Sequence, residues 1–222
     1  HAGRHEDVPE IDLEPQTEFT EVMWANPVEI LTNWRSYKMK VAPPVVTLLM
    51  EIERTLERHG RNMELAADDI SSRLPGRRSI LFAHGVEVIP IKTATLPPAD
   101  HTNAYMVGDP NGDFVLVDPA VRMREDMEAL ATAIERHNGD LLAVIFTHSH
   151  GDHLADIGLL REAVDAPIWG SEFTSRSVPC ERILEDGDVL QLGNQQWTVL
   201  ITPGHHPGHV CLLSAAGLIA GD

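Results

Sequence analysis

The segment that most restricts the fold is an apolar run, Leu141-Leu-Ala-Val-Ile-Phe146, joined without a break to Thr147-His148-Ser149-His150-Gly151-Asp152-His153. A run with no polar alternation reads as a strand buried on both faces, and such a strand belongs inside a sheet covered by other layers. The titratable side chains that follow sit at the rim of that core, where burial without partners is expensive. The pattern recurs downstream. Trp197-Thr-Val-Leu-Ile201 leads into Thr202-Pro203-Gly204-His205-His206-Pro207-Gly208-His209, and Leu218-Ile-Ala220 leads into Gly221-Asp222.

These loops carry the chemistry. In the extended tip of a strand, side chains alternate, so His148 and His150 point to the same side and can chelate one ion. Asp152 and His153 sit at the turn into a following helix and face a second ion nearby. Among the later histidines, His205 comes directly after a strand end and is the best third ligand to the first ion. His206 and His209 line the pocket or bond locally. Asp222 ends an apolar strand with a carboxylate, the group suited to bridge two cations. Neutral imidazole with carboxylate suits zinc, and iron or manganese less selectively.

Composition narrows the function classes. Half of the twelve histidines fall in the first two loops. With 17 basic against 34 acidic residues, the net charge of −17 repels polyanions, so general nucleic-acid binding is not expected. Arg77-Arg78 is the one adjacent basic pair after position 60 and reads as a solvated linker. No stretch approaches the about 18 consecutive apolar residues of a membrane span, and no apolar core follows His1 as a signal peptide requires. Two cysteines, Cys180 and Cys211, cannot build a disulfide framework, which points to a reducing cytoplasm.

Along the chain, residues 1–21 form an acidic, Pro-interrupted lead-in. Asn26-Pro27 caps a helix with Val28, Ile30, Leu31 and Trp34 on its apolar face. A second helix, Val45 to His59, presents Leu48, Leu49, Ile52 and Leu56 and stops at Gly60. Residues 1–80 thus read as a helical N-terminal region. From about Val86, short strands alternate with helices, which is α/β in class. Asn111-Gly112 marks a hairpin between Ala104–Val107 and Phe114–Val117. A helix spans Arg124 to His137, and the first histidine loop runs into a helix ending at Leu160.

His148-Ser-His150-Gly-Asp152-His153 resembles the His-x-His-x-Asp-His signature of the metallo-β-lactamase fold superfamily. The order that follows, Thr-Pro-Gly-His around His205 and then Gly-Asp at Asp222, resembles it too, over roughly Val86 to Asp222. Within the superfamily, Thr-Pro-Gly-His-His-Pro-Gly-His is similar to the branches near glyoxalase II and the β-lactamase-like-2 proteins. The resemblance implies an αββα sandwich over residues 81–222. It assigns His148, His150 and His205 to one metal, Asp152 and His153 to the other, and Asp222 to the bridge. Asp118 of Val-Leu-Val-Asp-Pro would support the ligands by hydrogen bonds. The family's final histidine has no counterpart in these residues, so the resemblance implies that the C-terminal part of the domain is missing. The half-sandwich would expose a sheet face and a strand edge, which a partner or a homo-oligomer would cover. A weaker resemblance links Glu21-Val-Met-Trp24-Ala-Asn-Pro27-Val-Glu29-Ile-Leu31 to the end of a Nudix hydrolase domain, without the Nudix box and so without that activity.

The function implied is a metal-dependent hydrolase in which a metal-bound hydroxide, oriented by Asp152, attacks an ester, thioester or lactone in a small-molecule substrate. Two alternatives stand beside it: phosphodiester cleavage of RNA or DNA, and a non-catalytic metal-binding module.

Overall fold

The structure, a computed structural model, describes residues 23–72, 80–95 and 97–222. The acidic lead-in of residues 1–21, Glu21 of the Nudix-like stretch among them, and the Arg77-Arg78 pair lie outside the described residues.

Three helices come first: α1 (Pro27–Arg35), α2 (Pro43–Arg58) and α3 (Met63–Ser72). The Asn26 side chain accepts from the Val28 N–H at 2.9 Å, and Pro27, which lacks an N–H, fills the first helical position. The buried faces differ from those read in the sequence. Leu31, Trp34, Val46 and Leu56 are buried, whereas Val28 and Leu48 point to solvent. The reason is tertiary: α1 and α2 pack on each other and on Leu81 of a strand, β1 (Ile80–Ala83), which turns the stripe toward Val46, Leu49 and Met50. That strand begins at Ile80, the last residue of the stretch read as mainly helical.

β1, β2 (Val86–Lys92), β3 (His101–Gly108), β4 (Phe114–Val117), β5 (Leu141–Ile145), β6 (Ile168–Gly170) and β7 (Arg182–Ile183) form one sheet in chain order. Pairing is antiparallel from β1 to β4 and parallel from β4 to β7. The parallel crossovers run through α4 (Arg124–Glu135) and α5 (Ile157–Ala163), whose apolar sides pack with Leu116, Val144 and Phe146. The β3–β4 hairpin forms where Asn-Gly marks it, but Asp109 makes the turn: its carboxylate accepts from the Asn111 N–H at 3.0 Å and its carbonyl from Gly112 at 3.1 Å.

A second sheet, β8 (Val189–Leu192), β9 (Gln195–Ile201), β10 (Val210–Ser214) and β11 (Gly217–Ile219), is an antiparallel meander. It packs face to face on the first through Val115, Val117, Ile145, Trp197, Val199 and Leu212. The described residues therefore make a helix–sheet–sheet stack of α/β class. On the outer face of the small sheet, Val189, Leu213 and Leu218 are exposed and fall in one cross-strand row with Thr198. Cys180 and Cys211 are free thiols. No described helix is long and apolar enough to cross a membrane.

Candidate metal centre

The site lies where β4 and β5 end and the two sheets meet. There the Val210 N–H of one sheet donates to the Thr147 carbonyl beyond the other at 2.8 Å. Asp118, the residue after β4, is fully buried and left-handed at φ +47, a conformation that costs a non-glycine residue roughly 1–3 kcal/mol. Its carboxylate accepts three bonds. Thr147 donates its N–H to Oδ1 at 2.7 Å and its hydroxyl to Oδ2 at 2.6 Å, and His153 Nδ1 lies 2.9 Å from Oδ2.

This arrangement sets two histidine tautomers. A carboxylate oxygen can only accept, so His153 carries its proton on Nδ1. The single hydroxyl proton of Thr147 goes to Asp118, so toward His148 Nδ1, 3.0 Å away, the Thr147 oxygen must accept. His148 is therefore protonated on Nδ1, and its Nε2 lone pair is free. That lone pair faces His150 Nδ1 at 3.0 Å, and His150 Nδ1 in turn lies 2.9 Å from His205 Nε2. Three ring nitrogens thus converge within 4.8 Å of one another. A second set of ligand atoms at that spacing comes from Asp152, His153 and Asp222. Asp118, His148 and His153 form a third such group, but the Asp118 oxygens are engaged by Thr147 and His153, so Asp118 supports ligands rather than competing for an ion. Asp222 stands between the two sets, with Oδ1 3.2 Å from His153 Nε2 and Oδ2 3.4 Å from His205 Nε2. Gly221 (φ +66) allows this approach, because a Cβ there would lie 2.6 Å from Thr147 Oγ1 and 3.2 Å from His209 Nε2.

The electrostatics favour neutral imidazole on one side and charge on the other. Burial, followed by the neighbouring histidines, pushes His148 down to about 3. Burial also works against charge on His153, but the Asp118 hydrogen bond and the charges of Asp118, Asp222 and Asp152 outweigh it and leave His153 raised. Asp152 is lowered: burial opposes its charge, while a hydrogen bond from Thr95 and the adjacent histidines prevail. Free nitrogen lone pairs beside ionised carboxylates are the donor set of a divalent transition-metal site, so the residues fit the metal expected from the sequence.

Each sequence-predicted residue is at or beside this centre. His206 bonds Ser149 Oγ at 3.0 Å, and His209 Nδ1 bonds Thr202 Oγ1 at 2.8 Å, while His209 Nε2 is buried without a hydrogen-bond partner. One local expectation is corrected. β5 ends at Ile145, so His148 and His150 lie in an irregular loop rather than a strand tip, and the next helix starts only at Ile157. Their convergence comes from the turn in which His153 and Leu154 N–H groups donate to the His150 carbonyl, both at 3.1 Å. The Arg122 guanidinium holds the same turn by donating to the carbonyls of Gly151 and Leu154. Sequence reasoning missed Thr147, whose signal was a hydroxyl between a buried strand and a histidine. It also missed Thr95, Asn103 and Tyr105, which with Asp118, His153 and Asp222 bound a cavity of about 180 Å³. Asn103 and Tyr105 share one face of β3 by alternation.

Helix–sheet–sheet layering with a histidine–aspartate centre where the sheets meet defines a class. The chain matches the profile of the Metallo-beta-lactamase superfamily over residues 97–219, more than half its length, and belongs to that superfamily. It is 34% identical over 124 residues to the hydroxyacylglutathione hydrolase of Cereibacter sphaeroides, covering 55% of this chain and 47% of that protein. It is 28% identical over 117 residues to the hydroxyacylglutathione hydrolase of Bdellovibrio bacteriovorus, covering 50% and 47%. The chain thus spans about half the length of these relatives. A solved beta-lactamase domain protein from Burkholderia ambifaria shares the fold, with a TM-score of 0.53 at 20% identity over 65% of this chain and 55% of that one.

Proposed function

We propose that this chain carries the metal-binding part of a hydrolase that cleaves a small thioester, with zinc in two adjacent positions. The observation that supports it is Asp222, whose two oxygens face His153 and His205, one from each donor set. In this reading His148, His150 and His205 would hold one ion, Asp152 and His153 the other, and Asp222 would contribute to both. When bound, zinc supplies Lewis acidity and makes water nucleophilic near neutral pH.

The chain's own residues do the rest. Asp118 and Thr147 keep protons on Nδ1 of His153 and His148, leaving each Nε2 to bind. Asp152, whose charge the Thr95 hydrogen bond favours, would orient the attacking water. The cavity beside Tyr105 and Asn103 receives the acyl group. A thioester is preferred to an ester or lactone because two relatives are hydroxyacylglutathione hydrolases. A net charge of −17 argues against RNA or DNA as substrate. Residues 81–222 would form the superfamily domain and residues 1–80 a helical unit, a remnant of a Nudix-like domain without its activity, in a cytoplasmic protein.

The test loads the chain with zinc and offers it hydroxyacylglutathione or a short labelled RNA, with His148→Ala as control. Thioester loss that disappears in the variant is expected. RNA cleavage alone would replace the substrate assignment, and inactivity toward both with zinc bound would leave a non-catalytic metal-binding module.

A further inference from the structure

A cavity of about 760 Å³ lies away from the metal centre. Its walls include Val86 at the start of β2, Gly108 at the end of β3 and Asn138 beyond α4, so it opens where β4 and β5 begin. The metal centre sits where those strands end, about 15 Å away along a five-residue strand. The other wall comes from α1 and α2. Neither half encloses the space alone, and the two are joined by the packing of Leu31, Trp34 and Val46 on Leu81 and by the Tyr37 hydroxyl, which donates to the His84 carbonyl at 3.1 Å.

Three arginines converge on this cavity from three helices: Arg35 ends α1, Arg54 lies within α2 and Arg136 caps α4. No described carboxylate lies within ion-pairing distance of any of them. Helix dipoles favour cations at C-termini and account for Arg35 and Arg136 singly, but not for Arg54 or for all three lining one cavity. Glu51 and Glu87 also line the space, and each has an interaction of its own. In a chain of net charge −17, three guanidinium groups lining one cavity, none with a described carboxylate at ion-pairing distance, stand out. Guanidinium forks bind phosphoryl oxygens in bidentate fashion, and a volume of several hundred Å³ suits a small organic ligand. Trp34, Met50 and Leu81 add an apolar surface to the lining for the body of such a molecule. Burial first, and then Arg35, lowers His84, and burial lowers His137, so both imidazoles are neutral near pH 7 and add hydrogen bonds without charge.

We propose that this cavity is a binding site for an organic phosphate of nucleotide size, formed jointly by the N-terminal helices and the sheet domain and separate from the metal centre. It does not depend on the reaction proposed for that centre.

The test is calorimetric titration of the metal-free, dialysed 222-residue chain with ADP and, separately, inorganic pyrophosphate. Removing the metal excludes phosphate binding to bound zinc. Saturable binding of ADP is expected, with pyrophosphate weaker because it lacks the organic body. If pyrophosphate binds as tightly as ADP, the apolar wall plays no part and the nucleotide-size assignment is overturned. Arg54→Ala and Arg136→Ala should each weaken ADP by about tenfold, since each removes charge-assisted hydrogen bonds. Both arginines are exposed, so the variants should melt with the parent protein, and zinc uptake should be unchanged. Absence of saturable ADP binding at millimolar concentration, or unchanged affinity in the double variant, would overturn the proposal.

Discussion

Replacing Thr147 by valine tests the logic of the centre, because it removes one hydroxyl and little else. In the parent, the hydroxyl donates to Asp118 Oδ2 at 2.6 Å and lies 3.0 Å from His148 Nδ1, with both groups buried. Valine matches threonine in shape, so no cavity forms. Loss of the bond to a carboxylate costs about 1.5–3 kcal/mol, and a stranded buried N–H on His148 costs about 1–3 kcal/mol. Their sum, roughly 2.5–6 kcal/mol, is a large share of the 5–15 kcal/mol typical of whole domains. His148 can avoid the second cost by moving its proton to Nε2, but that places a proton where the metal would bind. Zinc affinity should therefore fall about 10–100-fold, the usual loss when a partner orienting a metal-binding histidine is removed. Urea unfolding of the metal-free protein reads the first quantity, and competition with a chromophoric chelator reads the second. Thr147→Ser keeps the oxygen and should restore both. A valine variant with parental zinc affinity, or a serine variant as impaired as valine, would refute the tautomer argument.

Asp222→Asn should lower zinc at the Asp152–His153 side while the three-histidine set keeps its ion, measured as metal content after gel filtration. Gly221→Ala forces a Cβ to 2.6 Å from Thr147 Oγ1 at φ +66, so it should cost roughly 1–3 kcal/mol in urea unfolding and weaken zinc as well. In the metal-free protein, His148 at about 3 is a base with a depressed folded value. The unfolded chain takes up that proton first, so stability should fall as pH drops below about 6.5 toward 3, and His148→Asn should flatten this limb. His153 has the opposite sign. Its contribution is complete below about 6.5 and lost as pH rises through its higher folded value, a limb that Asp118→Asn should remove in urea midpoints from pH 6 to 9.

Much of the architecture was legible because it is local. Phe114–Val117 is a strand over the span read in the sequence, and α4 starts at Arg124 as expected. What escaped depends on contacts distant in sequence. β7 has two residues and is placed by pairing with β6, so no periodicity could mark it. Leu48 and Val46 exchange roles because the surface that α2 covers is set by Leu81, some thirty residues later. In the centre, residue types and spacing pointed to side chains that the fold brings together. The proton assignments could not be read that way, since they follow from Thr147 lying within reach of Asp118, 29 residues earlier.

The junction at Val210 and Thr147 has a consequence for assembly of the molecule. His148, His150 and Asp118 come from the end of one sheet, and His205 and Asp222 from loops of the other. The contact between His150 and His205 closes a separation of 55 residues. Neither sheet holds a full set of donors alone, so the centre exists only once the layers have docked in register. A one-residue slip in β9 or β10 would turn Val199 and Leu212 outward and carry His205 away from His150 in the same movement. Cation affinity would thus gauge the alignment between layers: substitutions deep in the seam, at Trp197 or Val117, should be felt first as lost metal and only later as lost helix or strand.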